Sequence, residues 1–250
     1  MRYGICPLSL VAVYESPEPD SGLTTQLLYG EAYKVLDTRK KGLRIRTEWD
    51  GCEGWIRPDQ HFEIPEEAYP SPDGHPKAGR CSDLVGHAAT REGLLLPVLL
   101  GSEVGRAPLL GQHFEGEVFA DYQDKENLIP TALLYLNSPE LRGGRSPFGI
   151  DAGGFAQMVY KCCGTRLSRY PHEQATQGEA LSFIEESNPG DLAFFDGPDG
   201  TINHVGIIMR DNYIIHAFGK VRIDRLDHSG IFNNELRNYT HPLRVIKKIL

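Results

Sequence analysis

Two histidines and one aspartate stand where side-chain chemistry could concentrate. His204 lies in Ile202-Asn203-His204-Val205-Gly206-Ile207-Ile208, and His216 lies in Ile214-Ile215-His216-Ala217. An imidazole titrates near neutrality and can move protons or bind a metal, although a histidine in a strand is ordinarily structural. Asp151 precedes the run Ala152-Gly153-Gly154-Phe155, where a carboxylate could cap a helix by accepting from its free backbone donors. His204, His216 and Asp151 or Glu140 are metal-ligand types, but their spacing follows no metal motif, and no metal or other cofactor is expected. Five cysteines, with Cys162 and Cys163 adjacent, suggest neither a disulfide framework nor a C-x-x-C zinc site.

The elements around these residues read as helices first and strands later. Ile129 to Leu136 can form a helix with Pro130 in its first turn. Phe155, Val159 and Cys162 or Cys163 recur at helical spacing on one apolar face, and Gly164 supplies the stop. Asp191 to Phe195, Ile202 to Met209, Tyr213 to Ala217 and Val221 to Leu226 read as strands, with Arg244 to Ile249 closing the sheet. Helices followed by an antiparallel meander make an α+β domain over residues 127–250.

The first part of the chain differs. In residues 1–64, Leu10 to Tyr14, Gln26 to Glu31, Tyr33 to Leu36 and Leu43 to Thr47 read as short strands. The stretch from Pro17 to Gly22 breaks the first of them, Arg39-Lys40-Lys41 suits a solvated hairpin turn, and Trp49-Asp50-Gly51 turns the chain before Gly54-Trp55-Ile56. Residues 65–126 begin with a linker from Pro65 to Gly79 and then return to β-like runs from 83 to about 122. There Leu99-Leu100-Gly101-Ser102-Glu103 echoes Leu27-Leu28-Tyr29-Gly30-Glu31, which admits either a second barrel or an irregular β extension. The chain has 250 residues, room for two or three domains, and a net charge of −8 with no basic run, which argues against nucleic-acid binding. No segment reaches the ~20 apolar residues of a membrane span, and the start has no signal-peptide character, so the expected location is the cytoplasm.

Several of these runs carry a resemblance. Residues 1–64, through their L-x-G-E and G-W-I elements, resemble a bacterial SH3 domain, and the echo at 99–103 makes a second SH3-like segment the reading for 65–126, so that one or two small SH3-like β-barrels precede the α+β domain. Gly143 to Tyr160, Pro189-Gly190-Asp191-Leu192-Ala193-Phe194-Phe195 and the two histidine runs resemble, in order, the motifs of NlpC-type cell-wall peptidases. The closest subgroup is the SH3-bearing γ-D-glutamyl-L-diamino acid endopeptidases, which act on released murein peptides. The resemblance implies a papain-like fold in which a cysteine opens a helix, His204 is the base and His216 orients it.

At the implied nucleophile position stands Ala152. Loss of such a nucleophile costs on the order of 10⁶ in turnover, about 8 kcal/mol of barrier. Cys162 and Cys163 follow ten and eleven residues later on the same helix, roughly 15 Å along its axis, and cannot replace it. The family's P-Y-L-W-G-G reads here Pro139-Glu140-Leu141-Arg142-Gly143-Gly144. Glu140 and Arg142 either read a new ligand or form a solvated pair at the cleft rim. The subgroup's Asp-Ser pair for the substrate amine is replaced by Tyr170 and Pro171. Gly153 permits close packing whether or not the site works. The implied protein is a catalytically inactive homologue whose cleft, with Glu140, Arg142, Asp151, Gly153, Tyr170 and Pro171, takes a murein-derived or other peptide, or a protein. The alternative is the endopeptidase of murein-peptide recycling, without its nucleophile; a third is a structural protein whose cleft is filled by its own side chains.

Overall fold

The computed structural model describes residues 1–18, 20–70, 79–119 and 125–250. The chain divides into two units, Met1–Asp121 with Arg142–Pro147, and Tyr122–Leu141 with Phe148–Leu250. Positions 71–78 of the linker expected from Pro65 to Gly79, position 19 of the expected break and the β-like residues 120–122 lie outside the described residues.

Seven strands open the first unit: β1 (Arg2–Ile5), β2 (Leu10–Tyr14), β3 (Leu23–Leu28), β4 (Ala32–Arg39), β5 (Gly42–Thr47), β6 (Glu53–Ile56) and β7 (Phe62–Ile64). They form one antiparallel sheet in the order β3-β2-β6-β5-β4-β1-β7. Alternating burial along β5 puts Leu43 and Ile45 inward, where they join Val11, Val13, Leu27, Tyr33 and Ile56 in a core. Arg39, Lys40 and Lys41 are exposed at the β4–β5 hairpin. The sequence reading did not anticipate β1 or β7, which are too short for a periodic signal.

Five further strands follow among the described residues: β8 (Arg80–Cys81), β9 (Val85–Thr90), β10 (Leu95–Leu99), β11 (Gln112–Glu115) and β12 (Val118–Phe119). They pair as β10-β9-β11 and β12-β8. The echo between residues 27–31 and 99–103 has a structural counterpart. Gly30 N–H donates to the Cys6 carbonyl at 3.0 Å, and Gly101 N–H donates to the Cys81 carbonyl at 2.8 Å. Each cysteine thiol also faces the carbonyl two residues on, Leu8 at 3.3 Å and Asp83 at 3.4 Å. Gly30 and Gly101 both adopt positive φ, at 75° and 81°, which only glycine accepts without strain. In the same unit lies β13 (Arg145–Ser146), whose Arg145 guanidinium pairs with both oxygens of buried Glu31, at 2.9 and 3.0 Å.

The second unit contains α1 (Leu128–Leu134), β14 (Gly149–Ile150), α2 (Ala152–Cys162) and α3 (Pro171–Gln174). All eleven residues of α2 are buried, and it packs on α1 and on the sheet behind it. Gly164, at φ 83°, ends the helical segment. The sheet begins with β15 (Glu179–Leu181) and continues through β16 (Leu192–Asp196), β17 (Ile202–Ile208), β18 (Tyr213–Phe218), β19 (Lys220–Asp227), β20 (Gly230–Asn233) and β21 (Asn238–Lys248). β16 to β19 form the expected meander, and β20, which the sequence reading did not anticipate, extends it. β21 is longer than the Arg244 to Ile249 reading and pairs along its length with both β20 and β16. It thereby closes six strands into a barrel, with β15 added outside β21. The partner change falls at Pro242, which has no N–H to give to a ladder. Ala193, Phe195, Ile208, Ile214, Leu226, Ile231 and Ile246 form one core cluster of this sheet. Among the described residues, no helix is long and apolar enough to cross a membrane.

Candidate functional site

The period-2 alternation of β17 and the pairing of β17 with β18 bring His204 and His216 onto one face. Gly206 lies opposite His216 in this ladder, and a Cβ there would come within 3.0 Å of the His216 Cβ. His204 Nε2 lies 2.8 Å from His216 Nδ1, and His216 Nε2 lies 3.2 Å from Asp224 Oδ2 on β19. Asp224 also accepts from Arg222 Nε at 2.8 Å and from Asn233 Nδ2 at 3.2 Å. An ionised carboxylate only accepts, so His216 carries its proton on Nε2 and offers a lone pair at Nδ1. His204 therefore donates from Nε2, and its own lone pair is on Nδ1.

A third imidazole completes the group. His241, at the partner change of β21, stacks on His204 with ring centroids 4.0 Å apart and an interplanar angle of 22°. Its Nδ1 is 2.8 Å from Thr240 Oγ1, and its edge meets Phe218 at 5.0 Å. Burial holds His204 well below the usual imidazole range, reinforced by His216 and His241. Burial also lowers His216, against the opposing pull of Asp224. It brings His241 down to about 4, helped by His216. Burial pushes Asp224 up, but the hydrogen bonds from His216 and Arg222 outweigh it and keep the carboxyl below its usual range. All three imidazoles are therefore neutral at pH 7.

The second set of site residues gathers at the start of α2. Asp151 caps the helix, accepting from Gly154 N–H at 2.7 Å, and receives a bidentate pair from Arg169 at 2.8 and 2.7 Å. Ala152 is the first helical residue and presents a methyl group there, 7% exposed. Gly153 admits the 169–171 segment: a Cβ would meet the Arg169 carbonyl at 2.6 Å and Pro171 Cδ at 3.0 Å. Tyr170 precedes α3 and stacks on His172 at 5.8 Å, while Pro171 starts that helix. Neither residue offers an anion to an ammonium group. Both α2 and α3 pack against β17, the strand that carries His204.

The remaining expected residues behave differently. The exposed Glu140 accepts from Gly219 N–H at 2.6 Å, tying its segment to the β18–β19 turn. Arg142 is exposed. Cys162 and Cys163 are buried at the far end of α2. A separate groove of about 1150 Å³ is lined by Lys125, Ile129, Met209, Arg210, Tyr213 and Lys248, and by none of the site residues.

Sequence reasoning missed Asp224, Asn233, Arg169 and His241. Asp224 left no distinct trace, because Val221-Arg222-Ile223-Asp224-Arg225-Leu226 holds three charged residues and alternation puts Asp224 on the same face as Arg222. His241 left none. Chemically, the array can hold His204 in one tautomer and orientation and let it take a proton, but α2 supplies no attacking atom at its first position.

A closed six-stranded barrel with a buried helix packed on it, following a small β unit, defines a papain-like α+β protein behind an SH3-type domain. Residues 141–239 match the NlpC/P60 family, and residues 13–60 match the bacterial dipeptidyl-peptidase Sh3 domain. The gamma-D-glutamyl-L-lysine dipeptidyl-peptidase of Bacillus subtilis (strain 168) is 33% identical over 94 residues, 37% of this chain and 31% of that protein. Dipeptidyl-peptidase 6 of Lysinibacillus sphaericus is 29% identical over 130 residues, 48% of this chain and 42% of that protein. The chain thus spans less than half the length of these relatives. A crystal structure of an NlpC/P60 family protein from Bacillus cereus ATCC 10987 aligns over 99% of both chains, with a TM-score of 0.73 at 17% identity, a likeness of fold. The chain carries an NlpC/P60 domain preceded by a bacterial SH3 domain.

Proposed function

We propose that this protein is a catalytically inactive homologue of a murein-peptide cysteine endopeptidase, binding a peptide through the old cleft. The observation that carries this reading is Ala152 at the first position of α2, where the family resemblance places the nucleophilic sulfur. A methyl group cannot form an acyl-enzyme. Tyr170 and Pro171 extend the departure to the side of the site where the subgroup holds a substrate amine. In this reading Glu140, Asp151, Gly153, Tyr170 and Pro171 line the binding cleft, and the ligand is a murein-derived or other peptide, or a segment of a protein.

The intact relay from His204 through His216 to Asp224 favours a second reading. In it the protein is a γ-D-glutamyl-L-diamino acid endopeptidase of murein-peptide recycling that lacks only its nucleophile.

Incubation of the purified chain with murein tri- and tetrapeptides tests the first reading. Binding by calorimetry without product by mass spectrometry is the expected result, and hydrolysis by the unmodified chain would overturn it. An Ala152→Cys replacement separates the two readings. The first expects no hydrolysis, because Tyr170 and Pro171 also depart from the subgroup; recovered hydrolysis would establish the second.

A further inference from the structure

We propose that His204, His216 and His241 form a binding site for one borderline divalent cation, with Zn²⁺ the best match. Among the described residues these three make a cluster in which one ring nitrogen from each lies within 4.8 Å of the others. Imidazole nitrogen suits Zn²⁺, which takes it at about 2.0–2.1 Å in tetrahedral geometry, so ligand nitrogens end roughly 3.3 Å apart. His204 Nε2 and His216 Nδ1 stand at 2.8 Å and need to part by about half an ångström to admit the ion. His241, stacked on His204 with ring centroids 4.0 Å apart, has to turn out of that stack to aim Nε2 at the ion, since Nδ1 faces Thr240.

Two further features support the assignment. Histidine ligands of zinc commonly donate their second ring nitrogen to a carboxylate, which fixes the tautomer and raises basicity. His216 does this with Asp224, which Arg222 and Asn233 hold in turn. The imidazoles are also largely withdrawn from water, with His216 at 0% and His204 at 7% exposure. Metal binding replaces the proton bridging His204 and His216. That proton moves from Nε2 to Nδ1 of His204, so the ring remains neutral and none is lost. The proposal does not depend on peptide binding, nor on whether the chain is an enzyme.

The test is calorimetric titration of the chelator-treated full chain with ZnCl₂ at neutral pH, followed by the visible spectrum of the Co²⁺-loaded protein. One equivalent of Zn²⁺ and intense tetrahedral Co²⁺ bands are expected. His241→Phe keeps an aromatic ring beside His204 and Phe218 but removes the ligand nitrogen; it should weaken binding at least tenfold, with His241→Gln as a second variant of different shape. Asp224→Asn should weaken it roughly 10–100-fold. His113→Ala, at an exposed histidine paired with Glu115, should leave binding unchanged. Failure of the wild-type chain to bind saturably would overturn the proposal. So would unchanged affinity in both folded His241 variants, or loss of binding in His113→Ala.

Discussion

His204 Nε2 points at His216 Nδ1 across 2.8 Å, and the opposite nitrogen of His216 faces Asp224. The hydrogen bonds run in one direction, because a carboxylate can only accept. Asp224 therefore decides where the proton sits two residues away in the relay, although it touches neither His204 nor α2 in any hydrogen bond.

Replacing Asp224 by alanine should destabilise the fold by about 3 kcal/mol, since it leaves buried donors of His216, Arg222 and Asn233 without their acceptor. Urea unfolding measures this directly. The same variant should release the His216 tautomer, visible as a change in its ring nitrogen shifts. An unchanged unfolding midpoint would mean that the relay is not held as a buried network.

Acid should weaken the protein through its imidazoles. In the unfolded chain each histidine takes up a proton near pH 6.5. In the folded state His204 and His216 are lowered, and His241 is brought to about 4. Below about pH 6.5 the unfolded chain thus binds more protons than the native one, so stability is full above that value and falls as pH drops toward 4. Thermal unfolding of chelator-treated protein at pH 8, 6 and 5 should show falling midpoints. His241→Phe should flatten the trend, and a flat wild-type profile would contradict the neutral-imidazole cluster.

Gly153→Ala should destabilise by about 1–3 kcal/mol, the usual range for overpacking a filled site. Its new methyl would sit 2.6 Å from the Arg169 carbonyl, a backbone atom that cannot rotate away. Gly51→Ala provides a contrast: it meets no neighbour within 4 Å but has φ 72°, so only backbone strain opposes it. Equal effects with and without close neighbours would argue against the packing explanation for Gly153.

In the SH3-bearing unit, Glu31→Gln should cost about 3–5 kcal/mol by leaving Arg145 buried without its anion. Arg145 is 1% exposed and Glu31 4%, so water cannot compensate. Replacing both by methionine should be much milder than the sum of the single changes. Additive losses in a double-mutant cycle would show that the two charges do not interact.

Much of the architecture was readable before folding was considered. The alternation in Leu43 to Thr47 predicts β5, and the runs around His204 and His216 predict β17 and β18. Asp151 and Gly164 mark the two ends of α2 through capping chemistry that acts within a few residues. What escaped was short or non-local. β1 and β7 have three or four residues each, too few for a period. Arg244 to Ile249 was legible as a closing strand, but the part of β21 before Pro242 was not, and closing the barrel depends on pairing with β16, tens of residues earlier in sequence. The echo between 27–31 and 99–103 was legible, but the matching roles of Cys6 and Cys81 were not, because the intervening segments differ in length.

The amino-acid sequence alone determines that residue 152 carries a methyl group and no sulfur, that the chain alternates between strand and helix periodicities, and that two histidines lie in paired apolar runs. These are properties of single residues and near neighbours. Tertiary structure decided that Asp224 anchors His216, that His241 rests on His204, and that Arg169 rather than solvent meets Asp151. Such contacts depend on strand register and barrel closure, where a shift of one residue turns every side chain to the other face.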